Sequence, residues 1–377
     1  MLKTRLTELF GLSRPIVLAA LAGGATDGRL AAAVNAAGGL GLFGAVHPAG
    51  PDWAREQIRF AQSHTNGRFG VGFITEQIPR HEASFRVCVE ERIPIFAFSF
   101  GDPTPYVAQA KAIGAKVICQ VQTPDGAPLA LSLGADILVA QGNEAGGHTG
   151  RLGTLPFLVQ VLDMAGRTPV IASGGIATGR ALAAVLAAGG EGAWIGTPLL
   201  ATHEAVGVSE AHKKCIVESD GQDTVYTEVY DIMYELKFPA GIAGRARINR
   251  ITREMAWPRG RAAPAPSRAG RAASSASGRR ARSRRASDLD GAVGGIHSGH
   301  PNRRRSDPGH LRRRRTAPAS ARDDGSRLAE QDSVDRARAH GTKNLMNVAR
   351  AKGLVEPINH VDQGGTRWPS MKRQETR

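Results

Sequence analysis

Eight short runs of apolar residues recur along the first part of the chain, each followed by a stretch with helical spacing. The runs are Pro15–Leu21, Gly39–Ala45, Phe69–Thr75, Ile93–Phe100, Ala115–Val121, Ala135–Gln141, Thr168–Gly174 and Gly192–Pro198. They are nearly continuous rather than alternating, as expected of strands covered on both faces. Helices are predicted over Gly28–Ala37, Asp52–Ser63, Arg80–Glu91, Thr104–Ile113, Ala127–Leu133, Leu155–Ala165, Gly179–Ala188 and Thr202–Val217. Asp52, Thr104 and Thr178 are placed as N-caps, Pro103 and Pro156 near helix starts, and Gly38, Gly114, Gly134 and Gly189 just past helix ends. Eight strand–helix units in succession predict an α/β protein with a closed (β/α)8 TIM barrel over residues 1–218, with an open doubly wound sheet as the alternative.

Residues 219–257 break the rhythm. Thr224–Ile232 alternates in part (Val225, Tyr226, Val229, Tyr230), and Tyr234–Pro239 adds apolar surface, so an incomplete cap subdomain is expected to begin here. From Pro258 onward Arg, Ala, Ser, Gly and Pro dominate, with arginine runs at Arg303–Arg305 and Arg312–Arg315. Such a composition buries too little apolar area to offset chain entropy, so residues 258–377 are expected to form a disordered basic tail, with a modest helix at 327–352.

Charge follows the same division. The net +15 conceals 22 Lys+Arg against 23 Asp+Glu in residues 1–256 and 27 against 11 in 257–377. Attraction to phosphate backbones therefore belongs to the tail. Arginine runs without interleaved aromatics imply non-specific adhesion rather than a specific nucleic-acid partner. Cys88, Cys119 and Cys215 lie too far apart to suggest a metal site or disulfide framework, which favours a reducing, cytoplasmic compartment. Lys3 and Arg5 ahead of Ile16–Ala22 superficially match a secretory leader, but Pro15 interrupts the approach and the run fits the first strand. No stretch reaches the ~18 apolar residues of a membrane span.

Candidate chemistry collects where the strands end, which in a barrel of this kind is the face that carries the active site. The first strand runs into Ala22-Gly23-Gly24, the fourth ends in Ser99-Phe100-Gly101-Asp102, and the fifth offers Gln120 and Gln122. The sixth opens into Gln141-Gly142-Asn143-Glu144-Ala145-Gly146-Gly147-His148-Thr149-Gly150, which places an amide and a titratable ring on one glycine-rich loop. The seventh gives Ser173-Gly174-Gly175 and the eighth Gly196-Thr197, two neighbouring loops whose N–H groups and helix starts suit a phosphate. Gly39–Gly44 also matches G-x-G-x-x-G. It lies within a predicted strand instead of opening a helix, so it is not a dinucleotide fingerprint.

The motif from Val139 to Gly150, then Pro169–Ile176, then Trp194-Ile195-Gly196-Thr197, in this order and spacing, resembles the nitronate monooxygenase family, formerly 2-nitropropane dioxygenases. The resemblance runs from about residue 14 to residue 256. It implies an FMN-bearing barrel with a helical cap over the flavin, acting on a nitronate or nitroalkane and dioxygen. It assigns His148 as the active-site histidine, a base or electrostatic stabiliser. Gln141, Gly146 and Gly147 would approach the flavin, with Ala22 and Gly23 nearby. Ser173, Gly174, Gly175, Trp194, Ile195, Gly196 and Thr197 would hold the cofactor's phosphate end. An FMN-dependent NAD(P)H enoyl or quinone reductase shares the fold and is the alternative; an inactive barrel is another. The chain departs from the family with Ala19-Ala20-Leu21 where Ala-Pro-Met is usual and with Gly72 where asparagine is common. The tail resembles nothing in the family, and its composition is that of a GC-rich frame read one base out of register, which makes a frameshifted C-terminus the expectation.

Overall fold

The structure, a computed structural model, describes residues 2–256. The expectations for residues 258–377 lie outside the described residues. All eight anticipated strands form: β1 (Ile16–Leu18), β2 (Gly41–Gly44), β3 (Phe69–Ile74), β4 (Ile95–Ser99), β5 (Lys116–Val121), β6 (Ile137–Gln141), then, after an intervening β7 (Gly147–Thr149), β8 (Val170–Ser173) and β9 (Ala193–Ile195). They pair in parallel in the order β1-β9-β8-β6-β5-β4-β3-β2. A parallel bridge between Val17 and Leu40 joins the two edges. Its bonds run from Leu18 N–H to Leu40 O and from Leu40 N–H to Ile16 O, each 2.9 Å. The sheet is thus a closed (β/α)8 barrel with no open strand edge.

The helices that cover it are α1 (Arg5–Phe10), α2 (Gly28–Ala36), α3 (Pro51–His64), α4 (Glu82–Glu90), α5 (Thr104–Ala112), α6 (Gly126–Ser132), α7 (Thr154–Ala165), α8 (Gly179–Ala187), α9 (Thr197–Leu200) and α10 (Glu210–Glu218). Alternate residues of the strands feed two cores, except on β3, whose inward positions are Gly70 and Gly72. Phe43, Phe69, Phe96, Phe98, Leu138 and Val170 belong to the layer that packs against the helices. Val17, Leu42, Ile118, Val139, Ile171 and Trp194 fill the barrel itself. Leu6 and Leu12 join that interior set, so α1, which the apolar pattern did not announce, plugs the N-terminal end. It starts at Thr4, whose hydroxyl accepts from Thr7 N–H in a capping box.

Local chemistry corrected several boundaries. Thr178 does cap α8, accepting from Ala181 N–H. Asp52 does not cap α3: Gly50 does, because Pro51 already occupies the first turn. Thr104 lies inside α5 after Pro103, and its N–H is received by Asp102 Oδ1 at 2.9 Å. The eighth helix begins at Glu210, not Thr202, where the Ser209 side chain accepts from His212 N–H. Pro198 ends the last strand early and seeds α9. The Gly39–Gly44 motif sits on β2, and Gly41 is a packing residue: a Cβ there would lie 2.0 Å from Ala31 O on α2.

Residues after α10 fold into β10 (Thr224–Thr227), α11 (Val229–Tyr234), β11 (Ala243–Arg247) and α12 (Arg250–Ala256). The expected alternation through Ile232 stops at Thr227, and Val229 and Met233 become the buried pair of a helix. The cap region is therefore mixed rather than helical. Its antiparallel sheet, β10-β11-β7, takes its third strand from the barrel's own glycine-rich segment.

Candidate active site at the barrel mouth

The glycine-rich segment after β6 is held as a strand on the cap, in contrast to the expected loop tip. His148 sits on β7 in register with Gly244 of β11. Arg245 Nε donates to Asn143 O at 2.6 Å, and Tyr226 Oη donates to Thr149 O and to Gly241 O at 3.1 and 2.8 Å. The segment is also held from below. Gln141 Nε2 donates to His148 O at 3.0 Å, while Gln122 Nε2 donates to Gln141 Oε1 at 3.1 Å. Gln141 is buried. Both ends of its amide are thus engaged in setting the height of His148 above the barrel.

Glu144, the one carboxylate of the segment, has a structural task. It accepts from Thr154 N–H at 2.7 Å and from the Thr154 hydroxyl, and so closes the start of α7. Gly142 lets this happen, since a Cβ there would lie 2.3 Å from Thr154 Cα.

Around the His148 imidazole three groups converge. Asp231 Oδ1, from α11, lies 2.6 Å from its Nε2. The Phe238 ring stacks on it with centroids 3.6 Å apart and planes 12° from parallel. Phe100 meets Phe238 edge-on at 5.4 Å and His148 edge-on at 6.4 Å. Phe100 holds a left-handed backbone with φ 60°. That conformation is costly for an aromatic residue and is sustained only where surrounding structure imposes it. Asp231 and Phe238 were not singled out from the sequence, and no local pattern could have done so: both reach His148 from a distant part of the chain. Phe100 did stand out, as part of the fourth strand's end.

The two glycine loops lie side by side as expected, because Ser173 and Trp194 are register partners on β8 and β9. Gly174 has φ 115° and packs so closely that a Cβ would come within 2.9 Å of Ala145 N and Gly142 O. Gly175, with φ 69°, is exposed, as is Thr197 at the start of α9. The N–H groups of Gly174, Gly175, Gly196 and Thr197 find no acceptor among the described residues. Gly146 joins the same neighbourhood, its missing Cβ lying 2.8 Å from Thr197 Oγ1. Gly147 and Gly23 face open space, and Ala22 is exposed beside Gly23. Ser173 is buried on the barrel wall. Ile195 is half-buried opposite Leu18, and the Trp194 side chain is buried among the barrel-interior residues. The arrangement is a rim of unengaged backbone donors and glycines next to one imidazole. That donor set suits a phosphate group. A separate cavity of about 480 Å³ opens at the opposite face, lined by Lys3, Glu8, Asn35 and Arg68, and takes no part in this geometry.

The nitronate monooxygenase family model matches residues 3–300. The chain belongs to the nitronate monooxygenase family. A probable nitronate monooxygenase from Staphylococcus aureus (strain Newman) is 28% identical over 298 residues, an alignment covering 67% of this chain and 80% of the relative. Among solved structures, FabK from Thermotoga maritima matches with a TM-score of 0.60 at 34% identity, covering 68% of this chain and 78% of that one. The nitroalkane oxidase from Streptomyces ansochromogenes matches with a TM-score of 0.56 at 30% identity, covering 66% and 80%. As a nitronate monooxygenase family member the chain is a flavin-dependent oxidoreductase. Among the described residues no helix is long and apolar enough to cross a membrane, and no cluster of His, Cys, Asp or Glu could hold a metal ion.

Proposed function

We propose that this nitronate monooxygenase family member oxidises alkyl nitronates or nitroalkanes with dioxygen, using FMN. The observation that carries the reading is the placement of one restrained, partly buried imidazole, His148, beside a rim of glycine loops whose N–H groups are unengaged. The backbone of Gly174, Gly175, Gly196 and Thr197 would hold the phosphate end, with Ser173, Trp194 and Ile195 supplying the wall behind it. Gly146, Gly147, Ala22 and Gly23 leave room for the rest of the cofactor. Held there, FMN would supply the electron-accepting and oxygen-reducing chemistry that side chains lack.

This chain's own residues supply the rest. A nitronate carries negative charge at the nitro group, and an imidazolium at His148 stabilises it. With a neutral nitroalkane, unprotonated His148 takes the proton from the carbon next to the nitro group. Gln141 and Gln122 keep His148 at its height. Phe238 and Phe100 limit water at the imidazole, which strengthens its electrostatic effect. Residues 1–218 act as the cofactor-binding barrel and 219–257 as its cap, and the sparse cysteines suit a cytoplasmic setting.

The test is spectroscopic. The purified chain is scanned for flavin absorbance, and FMN is identified in the supernatant after heat denaturation. Anaerobic bleaching of the bound flavin by a nitronate, followed by recovery in air, supports the reading. Reduction by NADH or NADPH but not by nitronate transfers support to an enoyl or quinone reductase of the same fold. A colourless chain that takes up no added FMN refutes flavin-dependent activity for this protein.

A further inference from the structure

We infer that Asp231 is a positioning residue: from the cap, it fixes which nitrogen of His148 is presented to substrate. The inference rests on the reading of His148 given above and extends it across the boundary between barrel and cap.

The geometry is specific. Asp231 Oδ1 lies 2.6 Å from Nε2, and the side chains are only 13% and 22% exposed. A carboxylate can only accept, so the neutral imidazole must carry its proton on Nε2. Nδ1 is then the unprotonated nitrogen, and it has no partner among the described residues. Phe238, stacked at 3.6 Å, prevents the ring from tilting, and Phe100 closes the edge. One nitrogen is thus engaged, one face is covered, and one nitrogen is left for chemistry. A carboxylate held this way selects the tautomer and stabilises the imidazolium that forms when Nδ1 accepts a proton.

Docking of the cap does not by itself account for the contact. Arg245 to Asn143 O, Tyr226 to Thr149 O and the β7–β11 pairing already fasten cap to barrel. Nor is this a surface ion pair: its partners are 83 residues apart in sequence and largely shielded. The proton balance is simple. A proton leaving the substrate carbon goes to Nδ1, the charge is shared with Asp231 through Nε2–H, and no proton need move to the carboxylate.

The experiment uses the full chain with ¹⁵N-labelled histidine. His148 is assigned by its loss in His148→Gln, and long-range ¹H–¹⁵N correlations are recorded at a pH above the imidazole range. The parent is expected to show the Nε2–H tautomer. Asp231→Ala is expected to lose that fixed pattern, with both nitrogens moving towards tautomer-averaged values. Asp231→Asn keeps an acceptor oxygen and is expected to retain the tautomer. In the FMN-loaded protein, Asp231→Ala should slow flavin reduction by nitroalkane on the order of 10²-fold, with flavin content and KM changed only a few-fold. Asp231→Asn, with the acceptor but no charge, should fall between.

An Nδ1–H tautomer in the parent, or a folded Asp231→Ala protein with the parent's spectrum, overturns the assignment. If Asp231→Ala fails to fold, Asp231→Leu, of closer volume and likewise without an acceptor, takes its place in the spectrum: a retained Nε2–H pattern overturns the assignment. A parent that shows the Nε2–H tautomer yet never turns over a nitroalkane refutes the oxidation reading and leaves the positioning role of Asp231 standing.

Discussion

Replacing Gly142 with alanine is expected to destabilise the protein strongly, for a reason unrelated to backbone freedom. Gly142 is not among the glycines with positive φ, so alanine is compatible with its backbone. The obstacle is Thr154: the added Cβ would lie 2.3 Å from its Cα, 2.4 Å from its Oγ1 and 2.5 Å from its N. Carbon contacts settle near ~3.5–4.0 Å, so the start of α7 must retreat by more than an ångström. Overpacking of this kind costs about 1–3 kcal/mol. The retreat also strains the bond from Thr154 N–H to the Glu144 carboxylate, a charge-assisted bond of about 1.5–3 kcal/mol. Together these give about 2.5–6 kcal/mol, or a fall in Tm of roughly 5–24 °C for a folded region of about this size. Gly244→Ala is the control. Its Cβ would meet nothing nearer than Thr227 O at 3.6 Å, on a strand where alanine is at ease. It should be neutral or stabilise by about 0.4–1 kcal/mol through the unfolded chain. Thermal unfolding followed by circular dichroism measures both. A Gly142→Ala protein melting with the parent, or a Gly244→Ala protein melting well below it, would refute the packing argument.

Three further outcomes are expected. Burial pushes the Cys119 thiol up to about 12 and Cys88 higher still, whereas Cys215 is exposed, so thiol titration should count one group in the native chain and all three after denaturation. Phe238→Ala removes ring contacts to His148 and Phe100, each worth about 0.5–1.5 kcal/mol, and should make residues 219–256 the first site of cleavage in limited proteolysis; an unchanged cleavage map would count against the stack as a clamp. Burial, helped by Arg80, holds His81 below the usual imidazole range. Its neutral form is favoured in the folded state, so its contribution is complete above the unfolded pKa and is lost as pH falls through the folded value. His81→Gln should therefore show a flatter decline in Tm than the parent between about pH 7.5 and pH 5; parallel declines would remove His81 from the account.

The barrel was readable because its signals are local. Each strand is a continuous apolar run, and Gly38, Gly114, Gly134 and Gly189 mark helix ends with left-handed backbones. Caps were read less well. Asp52 and Thr104 have the right side chains but stand one or two residues inside helices whose starts were set by Pro51 and Pro103. The site was legible in part for the same reason. The glycine loops and His148 belong to contiguous motifs, whereas β7 has no apolar alternation and becomes a strand only because β11 pairs with it. Asp231 and Phe238 are ordinary residues in a segment with mixed periodicity, and their meaning arises from long-range placement. Trp194 illustrates the converse. It lies inside a recognisable motif, yet its large side chain went to the barrel interior, where the alternation of β9 directs it.

The sharing of β7 between barrel and cap also sets an order of events during synthesis. The barrel can close once β9 has emerged, since Val17 pairs with Trp194. His148 has been translated well before then, but its strand partner Gly244 is still to come. At ribosomal speeds of about 5–20 residues per second, the roughly 50 residues between the end of β9 and Gly244 take on the order of 2.5–10 s. Through that interval the nascent chain carries a finished scaffold and an unpaired glycine-rich segment at its mouth. A chaperone or cofactor that meets the polypeptide then encounters a different surface from the one the completed protein presents.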